Sequence, residues 1–265
     1  MSSVYELPIG EELRLARAAV AQLETAALAF PAPHGVPPGR TSLDEEVCDR
    51  LIDLAAARAW LRAAGARAPQ DADDIDEAMR GCVRWAVQED VVRARADFGR
   101  GATATAVREG LATEAGHRLV TVLVAAFADG AYYDAMTGRL RAALGPRPGG
   151  RAAAAWDIAE EALRGLGLTR DEWVGADPAV TVAGGWVLIE RIARIQLAAA
   201  LLAEAGTHAD PEEALLCVNA ARRHTWNRLR LPPPEAATEI HVRRTGELTA
   251  WLRAAPPAAE PGRDA

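Results

Sequence analysis

Apolar side chains recur at spacings of three and four residues along almost the whole chain, and Gly or Pro punctuates the periodic stretches. That period is the repeat of one face of an α-helix, not of a strand. Ala, the strongest helix former, fills many of the remaining positions. The pattern predicts an all-α protein: a single-domain bundle of about eight to nine helices over residues 1–254, followed by a disordered tail at 255–265 that has nothing apolar to bury.

The expected helices run from about Glu11 to Phe30, Ser42 to Gly65, Asp73 to Phe98, Ala102 to Asp129, Tyr132 to Leu144, Ala152 to Leu166, Pro178 to Ala205, Asp210 to Pro232 and Ala236 to Ala254. Capping signals support several starts. Ser42 to Glu45 has the S-x-x-E capping-box form, and Asp210-Pro211 offers a cap followed by a first-position proline. A second capping box, Thr169 to Glu172, predicts a short turn after the sixth helix. The strand-like runs Val180–Val182 and Trp186–Ile189 sit inside a longer helical pattern, so helix is favoured there. The fourth and seventh helices carry so few charges that they are expected to be buried on nearly all sides. That expectation joins the two halves of the chain across the Gly/Pro linker Gly145–Gly150 into one domain.

Charge and cysteine content narrow the partners. The 265 residues carry 37 acidic and 30 basic side chains, a formal net charge of −7. Nucleic-acid affinity rests on neutralising phosphates with a positive face, so no nucleic-acid partner is expected. No charge-free run approaches the roughly 20 residues of a membrane span, and the first residues lack a basic start with an apolar centre. The expected location is therefore cytoplasmic, with no membrane partner. Cys48, Cys82 and Cys217 are far apart and form no C-x-x-C pair, as for reduced core thiols. Every basic residue is Arg, which stays charged when buried and grips carboxylate, phosphate or sulfate through two parallel hydrogen bonds.

Winding each helix at 100° per residue shows which charges point inward. Arg58 falls within the stripe Val47, Leu51, Leu54 and Leu61, while Asp90 lies at the edge of Met79, Val83, Val87 and Ala94. Arg222 shares a face with Leu215, Val218, Trp226 and Leu229. The seventh helix adds Glu190, Arg191 and Arg194, with Glu190 and Arg194 one turn apart, and the fourth adds Glu114 and His117. Each has a structural alternative: a buried ion pair for Glu190 and Arg194, snorkelling for Arg58 and Arg222, a solvated edge for Asp90, and a hydrogen-bonded core histidine for His117. If the charges instead converge, they form an anion pocket able to move a proton. Arg58, Arg194 and Arg222 would then bind substrate, and Asp90, Glu190 and His117 would be catalytic. The seven Trp residues would wall such a pocket or, alternatively, serve as core.

Motif tests mostly exclude. Glu114-Ala-Gly-His117 has the spacing of one half of a di-metal bundle site, without a second copy. The acidic run Asp71–Glu77 superficially resembles the metal-binding element of class I terpenoid synthases, yet it sits at a helix start, where acids favour the positive dipole end. No zincin, α/β-hydrolase, P-loop or dinucleotide motif occurs. Gly184-Gly185 inside the seventh helix implies either close helix packing or an opening for a ligand.

The sequence thus supports first a metal-independent, non-redox enzyme of small-molecule biosynthesis, without cofactor, performing acid–base elimination or cyclisation on an anionic substrate. The alternative is a non-catalytic helical ligand-binding or obligate interaction subunit. A metal-dependent helical enzyme, di-metal or terpenoid-synthase-like, is third. Homo- or hetero-oligomers fit any of the three.

Overall fold

The helices begin and end where side chains satisfy their free backbone groups. A computed structural model describes residues 10–29, 42–66, 73–96, 114–173, 178–230, 247–248 and 250–253, with side chains for all of these except 42–44, 95–96, 114–118, 172 and 178–184. The described residues form eight long α-helices, further helical residues at 247–248 and 250–253, and no strand. The long helices are α1 Glu11–Leu28, α2 Ser42–Gly65, α3 Asp74–Ala96, α4 Glu114–Ala128, α5 Gly130–Leu144, α6 Ala153–Trp173, α7 Pro178–Ala205 and α8 Pro211–Leu229, with a 3-10 turn at Gly150–Ala152. Asp73 accepts from the N–H groups of Ile75 and Asp76 at the start of α3. Asp129 does the same for α5 and Asp210 for α8, where Pro211 takes the first turn. At the start of α1 the cap comes from another helix. Gly10, at φ 88°, turns its N–H towards the Glu77 carboxylate of α3 at 3.1 Å, and Glu12 N–H donates to the same carboxylate at 3.4 Å.

Several boundaries differ from expectation. α5 starts at Gly130 because Asp129 caps it there, two residues before Tyr132. The turn predicted at Thr169 is replaced by unbroken helix to Trp173. The Thr169 hydroxyl donates back to the Gly165 carbonyl at 3.1 Å, so a residue read as a cap is satisfied within the helix. The expected residues 102–113 of the fourth helix and 236–246 of the ninth lie outside the described residues, as does the tail. Of the ninth helix, 247–248 and 250–253 are helical, and Leu248 and Leu252 are buried in the core.

α7 forms the axis of the bundle. α2, α3, α4, α5, α6 and α8 all pack against it, and Ile192 to Ala200 are buried without a break. One apolar cluster runs from Leu13 of α1 through every helix to Leu252. The Gly145–Gly150 linker is tied to α6, for Trp156 Nε1 donates to the Gly145 carbonyl at 3.1 Å and Arg147 pairs with Asp157 at 2.7 Å. α4 departs from its expected all-round burial. Leu119, Val120, Leu123 and Phe127 face inward, while Thr121, Ala125 and Ala128 are exposed. No single helix among the described residues is long and apolar enough to cross a membrane; α4 from Leu119 and α5 pass that test only as a pair bent by 106°. Their apolar residues Leu119, Leu123, Phe127, Met136 and Leu140 lie in the core.

The glycine in α7 marks a close approach. A Cβ at Gly185 would lie 2.4 Å from Val120 Cγ1, so α4 and α7 meet here only because the side chain is missing. Ala would gain roughly 1 kcal/mol in helix propensity, against an overpacking cost of about 1–3 kcal/mol at a site with no room. Gly185→Ala is therefore expected to destabilise the protein in chemical denaturation, and to cost less in a Val120→Ala background. An equal cost in both backgrounds would refute the close packing.

Candidate functional site: a buried ionic junction of four helices

Asp90 and Arg194 meet where α3 crosses α7. Both side chains are fully buried, and the guanidinium donates from Nη1 to Oδ2 at 2.6 Å and from Nη2 to Oδ1 at 2.7 Å. The edge position assigned to Asp90 therefore resolves to the core. Its helix turns Met79, Val83, Val87 and Ala94 inward as expected, and α7 covers the rest of that face.

Two further helices complete the junction. Arg228 of α8 donates from Nε to Asp53 Oδ1 of α2 at 3.2 Å, contacts the other Asp53 oxygen through Nη2, and brings Nη2 to 3.6 Å from Asp90 Oδ1. It thus bridges the two aspartates. Arg50 reaches Asp53 at 4.0 Å. His224, one turn before Arg228 and fully buried, places Nδ1 3.4 Å from Asp53 Oδ1 in a geometry that makes no full hydrogen bond. Its Nε2 has no hydrogen-bond partner among the described residues. One corner of the cluster extends outward: Glu190 lies 3.8 Å from Arg194 Nε and 3.7 Å from Arg93, which also pairs with Glu89.

Burial and charge act against each other throughout. Desolvation works to raise the Asp53 carboxyl, but Arg228, then His224 and Arg194, hold it well below the usual carboxylate range. Desolvation works to lower Arg194, and Asp90 outweighs it, so the guanidinium is held more firmly protonated. At His224 desolvation dominates over the attraction of Asp53, and the ring is pushed towards its neutral form. Burial, first among the causes, pushes the Glu89 carboxyl up, with Arg93 opposing. Asp53 and Asp90 thus face Arg194 and Arg228, with His224 beside Asp53.

The site residues read from the sequence separate into groups. Asp90, Arg194 and Glu190 come together, although the strong partner of Arg194 is Asp90 and not its helix neighbour Glu190. Arg58 points inward, but its Nη2 is held by Glu24 of α1 at 2.6 Å, and no contact joins it to Arg194 among the described residues. Arg222 is half-buried and, among the described residues, in no ion pair. The side chain of His117, like that of Glu114, is outside the described set. The tryptophans are dispersed: Trp60 donates to Gln196 at 3.3 Å, Trp173 tilts against Phe127, Arg230 covers Trp226, and Trp186 is 45% exposed. Among the described residues no group of three or more His, Cys, Asp or Glu is arranged to hold a metal.

The expected face of α8 is wrong by roughly a third of a turn. Leu215 and Trp226 point outward, while Cys217, Ala220, Ala221, His224 and Thr225 are buried. Small side chains and paired charges fill this interface, and large apolar ones do not, so a search for an apolar stripe selects the other face. Asp53, His224 and Arg228 were missed for that reason. A legible signal exists in the four-residue spacings: Asp49 and Asp53 on one helix, and Arg223 with Asn227 and His224 with Arg228 on the other. A second ionic group, also missed, joins α1 to α3, with Glu12 fully buried against Arg84 at 3.0 Å and Glu77 paired with Arg80. No family model, curated protein or solved structure matches this chain.

Removing one partner of a fully buried pair strands the other, at a cost of about 3–5 kcal/mol, whereas replacing both with apolar groups of similar volume is often neutral or stabilising. Arg194→Ala is thus expected to lower the unfolding free energy by that amount. Asp90→Leu combined with Arg194→Met should restore most of the loss, because Arg228 keeps Asp53. A double variant as unstable as the single one would show that the pair is not an isolated structural unit.

Proposed function

We propose that this protein is a non-catalytic helical subunit, with its inward charges structural and its work done by binding a partner through its outer faces. The observation that carries this reading is that carboxylates of the same chain already pair with the two buried guanidiniums of Arg194 and Arg58. Both Nη atoms of Arg194 are taken by Asp90, and Arg58 holds Glu24 through Nη2, so a substrate anion would compete with a carboxylate at either one. Large apolar side chains remain outside: Leu168 of α6 at 68% exposure and the adjacent Trp186 and Val187 of α7. α6 and α7 pack against each other, and Arg191 Nη1 of α7 comes within 3.3 Å of a Cβ built at Gly165 of α6. Leu168 and Val187 each lie about one turn from that contact along their own helices. A cytoplasmic location and association with a like or unlike chain are part of this proposal.

A second reading, the acid–base enzyme of small-molecule biosynthesis, draws on one observation. Asp90, Arg194 and Glu190 do converge, and Glu190, a quarter exposed, would be the proton acceptor at the rim with Arg93 beside it. Elimination or cyclisation of an anionic substrate would then require the substrate to displace a carboxylate from a guanidinium.

Two measurements separate them. Thermal unfolding with sulfate, phosphate, diphosphate, small carboxylates and coenzyme A at matched ionic strength is expected to give no selective shift. A ligand at about 100 times its Kd adds roughly 2.7 kcal/mol, and a selective rise of several degrees would favour the enzyme. A photo-crosslinking side chain at position 186 in the cells that make the protein is expected to yield a discrete adduct that the same probe at the exposed Glu161 does not. Absence of an adduct would defeat the subunit reading.

A further inference from the structure

The contact between α2 and α8 is a ladder of polar groups. Arg223 and Asn227 meet Asp49 at 2.5 and 2.9 Å, and one turn further along α2 their α8 neighbours His224 and Arg228 meet Asp53. The residues that α8 buries are small, Cys217, Ala220, Ala221 and Thr225 beside His224, with Cys217 turned to the Leu201 carbonyl of α7, so α8 brings little apolar area to its contacts. α1 and α3, in contrast, bury Leu13, Val20, Leu23, Val83 and Val87 between their faces and neighbours. His224 is the one member of the ladder whose charge changes near neutral pH.

We propose that the α2–α8 seam is an acid-operated latch: a proton on His224 adds a cation to a buried cluster whose aspartates are already paired with arginines, and releases α8 while the remaining helices stay folded. The charged groups reaching His224 are Asp53 of α2, Arg194 of α7 and Arg228 of α8 itself. Asp90 of α3 stands behind both guanidiniums, and Arg50 of α2 adds a further cation beside Asp53. α6 and the 3-10 turn Gly150–Ala152 also pack against α8, and among the described residues none of their charged groups is among the leading influences on His224. Asp53, already shared by Arg228 and Arg50, has no spare charge to neutralise an imidazolium.

The direction follows from linkage. Burial holds the folded-state His224 below its ordinary value of about 6.5, so the opened state binds the extra proton and opening becomes easier as pH falls through that region. Asp53 is depressed and stays charged there; its own contribution is lost only when pH falls below the ordinary carboxylate range and through its lowered folded value. The two windows are separate.

Hydrogen exchange of the full-length protein, corrected for the intrinsic rate at each pH, tests the latch. Between pH 7.5 and 5.5, peptides from 211–229 are expected to lose about tenfold more protection than peptides from α1 and α3. His224→Gln should remove that difference, whereas His208→Gln, which alters the exposed pair with Glu213 at the start of α8, should leave it. Uniform loss across all helices, no loss in α8, or a response that survives in His224→Gln would overturn the proposal. Should His224→Gln not fold, ring NMR of histidine-labelled wild type decides. The His224 ring is expected to be neutral at pH 6.5 and to gain its proton over the range in which α8 opens, and a ring already charged at pH 6.5 would overturn it.

Discussion

An ion pair without access to water is stable only if its surroundings hold both charges in register, and Asp90 with Arg194 sets that condition at the centre of this bundle. Moving each ion out of water costs several kcal/mol, recovered only through close, well-aligned contact. Two parallel hydrogen bonds supply it, and they require α3 and α7 to cross with the two side chains in one plane. A Lys at 194 would give a point charge in place of a planar fork, so a chain whose cations are all Arg is suited to this interior.

From that pair the rest of the junction follows by charge pairing. Arg228 reaches Asp90 as well as Asp53, which brings α8 and α2 to the same point. Nearby, Gln196 of α7 accepts from Trp60 of α2 and donates to the Met79 carbonyl of α3, so a neutral link repeats the same helix contacts about half a turn along α7. Neither link adds much net energy. Their effect is selective, because any other rotation of these helices would leave a buried polar group without a partner.

The pairing of the inward charges also bears on function. A pocket for an anion needs donors aimed at empty space, whereas here the donors close on carboxylates of the same chain. Of the buried polar atoms left without a hydrogen-bond partner among the described residues, Arg194 Nε and both nitrogens of His224 lie in this cluster, and Arg58 Nε lies apart from it on α2. The cluster's place at the α3–α7 and α2–α8 contacts connects it to how the helices are held together, and the titration of His224 to how one of them is released.

Sequence by itself determined the helical fold, most helix starts, and the inward direction of Arg58 and Arg194, while it placed Asp90 only at the edge of its stripe. All of these depend on local chemistry, namely the 3.6-residue period, side chains capping their own helix, and the cost of exposing an apolar stripe. The tertiary structure alone decided the partners. Asp90 and Arg194 are separated by 104 residues and Asp53 and Arg228 by 175, and no local rule pairs them. It also decided which face of α8 is buried, since the small and charged residues there gain by meeting complementary groups on α2 and α7, and complementarity is a property of two surfaces. Arg58 illustrates the division. Its direction was legible in its own helix, but Glu24 of α1 took up its charge.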